Sequence, residues 1–72
     1  MRRLYKALSI EFEVKQKNIT ILEETYLRTI SNYYDEKEYL IEIRYNKYTT
    51  CEYKIRFADD GKECTIFQVE CQ

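Results

Sequence analysis

Two runs of strict alternation in the second half of the chain constrain its fold more than any other feature. Tyr39, Ile41, Ile43 and Tyr45 alternate with Leu40, Glu42 and Arg44, and Cys51, Tyr53, Ile55 and Phe57 alternate with Glu52, Lys54 and Arg56. A period of two sends one set of side chains to one face of a sheet and the other set to the opposite face. Both runs therefore predict strands with an apolar face and a charged face, joined through Asn46-Lys47 as a two-residue turn. A second hairpin follows at Asp59-Asp60-Gly61-Lys62, where the only glycine falls at a position that wants a positive φ, after aspartates suited to begin a turn. The last strand, about 63–70, has apolar residues on both faces, Ile66 against Phe67 and Val69, so its inward face stays open.

The first half reads differently. Leu8, Ile10, Phe12 and Val14 alternate with Ser9, Glu11 and Glu13, which predicts a first strand beginning near Leu4. Thr20-Ile21-Leu22-Glu23 fits a capping box, in which the Thr hydroxyl accepts from a first-turn N–H and the Glu reaches back. From there Leu22, Tyr26, Leu27, Ile30, Tyr33 and Tyr34 recur at three- and four-residue spacing, predicting a helix over about 21–34. Residues 18–21 fit a short strand as an alternative. The order is then β-α-β-β-β, an α+β domain spanning 1–72 with one helix on one face of a four-stranded, mainly antiparallel sheet. A right-handed crossover would set the first strand parallel to the second if the two are neighbours.

At 72 residues the chain supports one thin core, and a buried substrate pocket would compete with that core for the same apolar side chains. Charged residues at 35% and hydrophobic residues at 44% fit a globular chain rather than a disordered one. No apolar run approaches a membrane span, and Glu11, Glu13 and Lys15 interrupt the N-terminal stretch before a signal-peptide core forms. A cytoplasmic location is expected. The cysteines agree: Cys51, Cys64 and Cys71 are odd in number and lack any C-x-x-C spacing, so reduced thiols in or near the core are expected. Centring the last hairpin on Gly61 brings Cys51 near Glu70 or Cys71, which leaves a Cys51–Cys71 disulfide as a minority alternative.

The groups that usually carry catalysis are scarce. Histidine is absent, which removes the commonest general base and metal ligand, and no thiol has a Cys–His partner. Glu11 and Glu13 sit on the polar side of an alternating run rather than across a cleft. Asp59-Asp60-Gly61 lacks the regular ligand spacing of a calcium loop, and one glycine cannot build a phosphate cradle. The expectation is a non-enzymatic protein without cofactor or metal.

Binding remains. The net charge of −1 is unevenly spread: residues 1–17 hold Arg2, Arg3, Lys6, Lys15 and Lys17 against Glu11 and Glu13, while residues 18–38 hold Glu23, Glu24, Asp35, Glu36 and Glu38 against Arg28 and Lys37. Those five acids, with Tyr33 and Tyr34 beside them and Tyr48 in a turn, are the candidate partner-binding residues, since Tyr often anchors interfaces. A protein or ribonucleoprotein partner is expected. The alternatives are a small nucleic-acid-binding module using the basic 2–17 segment and a structural subunit that self-associates through a sheet edge.

In small size, a single helix-on-sheet domain, missing catalytic residues and patches of both charge signs, the chain resembles the short inhibitors of host defence that phages and mobile elements encode, anti-CRISPR proteins above all. The stretch from Asp60-Gly61-Lys62 to Cys71-Gln72 is similar to the tail of one small anti-CRISPR protein, and richness in Ile, Lys, Tyr, Asn and Glu fits an A/T-rich genome. The resemblance implies an inhibitor that docks on a CRISPR effector and blocks target DNA binding or cleavage. It would act through an acidic contact in a basic channel or through a Tyr-centred wedge between subunits.

Overall fold

The computed structural model describes residues 2–30 and 34–72. A helix, α1 (Arg2–Phe12), leads through a short 3-10 turn (Gln16–Asn18) into β1 (Ile19–Ile30), β2 (Tyr34–Arg44), β3 (Thr50–Asp59) and β4 (Cys64–Cys71). The strands form one antiparallel sheet in the order β1-β2-β3-β4. The α+β class holds, with one helix against four antiparallel strands. The order of elements does not: the chain is α-β-β-β-β, so the expected first strand is the helix and the expected helix is mostly β1. No parallel crossover arises.

The helix follows from a spacing of four that the alternation masked. Leu4 and Leu8 are buried, and Tyr5, Ala7 and Phe12 pack beside them against the core, while Ile10 is 69% exposed. Arg, Lys, Leu and Ala supply helix propensity along this segment. The helix ends at Glu13, which takes the left-handed conformation (φ 54°). The Val14 N–H returns to the Ser9 carbonyl at 3.2 Å, the six-to-one bond of a Schellman cap, and the Val14 side chain joins the core cluster.

β1 is a strand because Ile19, Thr20, Ile21, Thr25, Thr29 and Ile30 are β-branched. Its register against β2 slips between Ile21 and Glu23 and again between Tyr26 and Arg28, which makes Leu22 and Leu27 the extra residues of two bulges. Each bulge shifts the phase of the strand by one residue. The apolar side chains consequently fall at helical intervals along an extended chain.

The meander strands place their faces as the alternation predicts. Tyr39, Ile41, Ile43, Ile55 and Phe57 are buried under the helix, with Tyr53 and Ile66 packed against them. Ile66 lies opposite Phe57 and Phe67 opposite Arg56, so the inward side chain of β4 is Ile66 and Phe67 lies on the open face. The β2–β3 connection is longer than the predicted two-residue turn. It runs from Tyr45 to Thr49, closed by Tyr45 N–H to the Thr49 carbonyl (2.9 Å) and by Tyr48 N–H to Asn46 Oδ1 (2.8 Å). The last hairpin turns at Gly61 (φ 91°), where Asp59 accepts from Gly61 N–H and Asp60 accepts from the N–H groups of Lys62 and Glu63. The Asp59–Cys64 register of this hairpin would set Cys71 opposite Glu52, and a third bulge, with Gln68 at φ 54°, moves it one residue further to Tyr53, so Cys71 does not face Cys51. All three cysteines are free thiols, Cys51 and Cys64 half-buried and Cys71 exposed.

Candidate functional site

Residues paired across the strands share a face, so the register sorts every charged side chain. One face carries α1. The other is open, and along it run Thr20–Glu42–Glu52, then Glu23–Leu40–Lys54–Glu70, then Thr25–Glu38–Arg56–Phe67, then Arg28–Glu36–Ala58–Thr65.

The expected acidic helical patch does not exist as a unit, because the segment is a bulged hairpin rather than a helix. Glu23 and Glu38 stand on the open face. Glu24 and Asp35 lie on the helix-bearing face, where Glu24 accepts from Lys37 Nζ at 2.8 Å and Asp35 accepts from the Thr29 hydroxyl at 2.9 Å. The Lys37 ammonium is held above its usual range, first by that bond to Glu24.

Glu36 is the clearest departure. It points to the open face but is only 2% exposed, with Arg28 Nε at 2.9 Å and Arg56 at 3.8 Å. Its charge is spent inside the protein, so it is not an exposed contact. Arg56 also approaches Glu38 at 3.8 Å. Tyr34 is half-buried at the start of β2 and lines two hollows. The larger, about 360 Å³, has an apolar floor of Leu4, Tyr39 and Phe57 and a rim of Asp35, Lys37 and Asp59. Tyr33 lies outside the described residues. Tyr48, at the β2–β3 loop, is 88% exposed.

What sequence reasoning missed is the central acid pair of the open face. Glu42 and Glu52 lie directly opposite one another on β2 and β3, with the Glu23 and Glu70 carboxylates in the next row. Like charges in direct register cost stability. None of these four carboxylates forms an ion pair among the described residues, in contrast to Glu24, Glu36, Glu38 and Asp59. The alternation of 40–44 with 52–56 already held the signal, because any tight hairpin between the two runs brings position 42 near position 52.

The basic N-terminal segment is also divided. Arg3 is fastened to Asp59 (Nε–Oδ2 2.6 Å), which holds the Asp59 carboxyl below its usual range with help from the Gly61 N–H. Lys15 and Lys17 instead meet Arg44 and Lys47 around a shallow hollow of about 460 Å³ beside Tyr45. Among the described residues no group of three His, Cys, Asp or Glu is placed to hold a metal ion, and no helix is long and apolar enough to cross a membrane. No family model, curated protein or solved structure matches this chain.

Proposed function

We propose that this chain is a non-enzymatic, cytoplasmic binding protein whose open sheet face docks on a basic surface of a protein or nucleoprotein complex. The observation that carries this reading is the Glu42–Glu52 pair, two like charges held in register on the central strands and, among the described residues, in no ion pair. An arrangement that weakens the free protein is offset when a partner supplies the missing positive charge. Glu23 and Glu70 share the next row with Lys54, so the carboxylates outnumber the cation there, and Leu40 and Phe67 add half-buried apolar contact.

A channel that holds nucleic acid is basic, so such a face fits the role of an anti-CRISPR-like inhibitor that obstructs target binding or cleavage. Edge-to-edge self-association is less well supported. The outer strand β1 carries two bulges and β4 carries one, and bulges blunt strand addition.

The test compares immobilised wild-type protein with the Glu42→Lys/Glu52→Lys variant in lysate of a phage-infectable bacterium. The wild type should retain a nucleic-acid-binding complex stoichiometrically, and adding the chain to that complex should reduce its target-DNA binding or cleavage. Equal retention by both proteins, or an unaffected complex, overturns the reading.

A further inference from the structure

The positive charge of this protein is not spread evenly among its unpaired cations. Arg3, Arg28, Lys37 and Arg56 are each engaged by a carboxylate. Lys15, Lys17, Arg44 and Lys47 are exposed, and none forms an ion pair among the described residues. Those four come from two separate segments, the turn after α1 and the β2–β3 hairpin, yet they line one shallow hollow of about 460 Å³. Among the described residues Glu13 is the one carboxylate in that lining, and Glu42 borders an adjoining hollow shared with Lys17 and Arg44.

Aromatic rings stand at the same end. The Tyr45 hydroxyl meets that of Tyr53 at 2.6 Å, and the Tyr53 ring packs on Phe12 at 4.8 Å between centroids, so Tyr45 is braced through the core. That contact, followed by burial, holds the Tyr53 phenol well above its usual range. Among the described residues Tyr48 is the most exposed of the large hydrophobic side chains at 88%, and Lys47 Nζ lies 5.7 Å from its ring centroid. A large ring left in water beside unpaired cations contributes nothing evident to folding.

We propose that this end of the molecule binds single-stranded nucleic acid, with Lys15, Lys17, Arg44 and Lys47 along the phosphates and Tyr48 and Tyr45 offering ring faces to bases. Single strands fit better than a duplex because they have unstacked bases to place on the rings. A net charge near zero does not oppose this, because the acids gather on the open face and the hairpin tip. The proposal does not depend on what the open face binds.

Fluorescence anisotropy with a labelled, mixed-sequence single-stranded DNA of about twelve nucleotides tests it. Binding is expected at low salt, with a log–log salt slope of about −3 if all four cations contact phosphate. Lys17→Glu/Arg44→Glu should weaken it at least tenfold, and Tyr48→Ala about tenfold through lost stacking. Lys62→Glu, outside the hollow, should leave it unchanged, and circular dichroism confirms that each variant folds. The proposal fails if the oligonucleotide is not bound at micromolar protein, or if Lys62→Glu is as harmful as the double reversal. It fails equally if duplex binds as tightly while Tyr48→Ala has no effect, since the end would then be a general polyanion patch. The Glu42→Lys/Glu52→Lys variant should keep oligonucleotide binding or tighten it, because Glu42 borders the adjoining hollow, while it loses the partner of the open face. Loss of both would overturn the independence of the two surfaces.

Discussion

Leu8 and Ile10 stand two residues apart in an alternating run, and substituting each by alanine separates the helix from the strand it imitates. In a strand both would point the same way and both would be core. In α1 they are about 200° apart around the axis. Leu8 is completely buried, whereas Ile10 is 69% exposed. Truncating a buried Leu removes its transfer free energy and leaves a cavity, at a cost of about 2–5 kcal/mol. Truncating Ile10 loses little burial and gains a few tenths of a kcal/mol of helix propensity. A domain of this size has a total stability of roughly 4–11 kcal/mol, so Leu8→Ala removes a large fraction of it. With an m-value of about 1 kcal/mol/M in urea, the Leu8→Ala midpoint should fall by at least ~2 M while the Ile10→Ala midpoint moves by less than ~0.5 M. Comparable losses from the two substitutions would refute the helix and restore the strand.

Three further outcomes follow from the backbone and the ion pairs. Glu13→Gly relieves a left-handed residue at the end of α1, and Gln68→Gly does the same at the β4 bulge. Each should stabilise by about 1 kcal/mol, read in a thermal melt as roughly 4–8 °C. The Arg28–Glu36 pair, with one partner buried, should show a larger coupling in a double-mutant cycle than the more exposed Lys37–Glu24 pair; equal couplings would count against the burial of Glu36. Asp59 has its carboxyl lowered by Arg3, so its ionised form stabilises the fold above the unfolded carboxylate value of about 3.9 and loses that contribution as pH falls below it. Asp59→Asn should therefore be less stable than wild type at neutral pH, with the gap closing in denaturation measured at about pH 3 and below; a gap independent of pH would contradict the ion pair.

The two hairpins of the meander were legible because nothing interrupts their alternation where it mattered. Ile41 and Ile43 face Tyr53 and Cys51 in plain register, and the Asp59–Gly61 turn forms where its residue types demand it. The first half was misread for two opposite reasons. In α1, Ile10, outward-facing and apolar, completed a false period of two between Leu8 and Phe12. In β1, Leu22 and Leu27 each occupy a bulge, and the inserted residues turned a period of two into intervals of three and four. A bulge leaves no mark in a hydrophobicity pattern except this loss of phase. The density of β-branched residues from Ile19 to Ile30 was the better guide, since Thr at 20, 25 and 29 packs well on a pleated surface and poorly in a helix.

The same phase shifts decide the chemistry of the surface. Had residues 21–34 been a helix, Glu23, Glu24, Asp35, Glu36 and Glu38 would have made one acidic patch. In the strand Glu23 and Glu24 alternate to opposite faces, and the bulges at Leu22 and Leu27 bring Arg28 into register with Glu36, where it pairs with that buried carboxylate. Charge that the sequence concentrates in one segment is thus dispersed by pairing. Charge that the sequence separates is brought together by the fold: Lys15 and Lys17 of the turn after α1 meet Arg44 and Lys47 of the β2–β3 hairpin, and the sheet sets Glu42 opposite Glu52. Charge totals per segment therefore do not report how the charges are grouped on the folded surface. Cross-strand register sorts the strand charges, because it determines which carboxylates and cations of the sheet find partners within the fold and which do not.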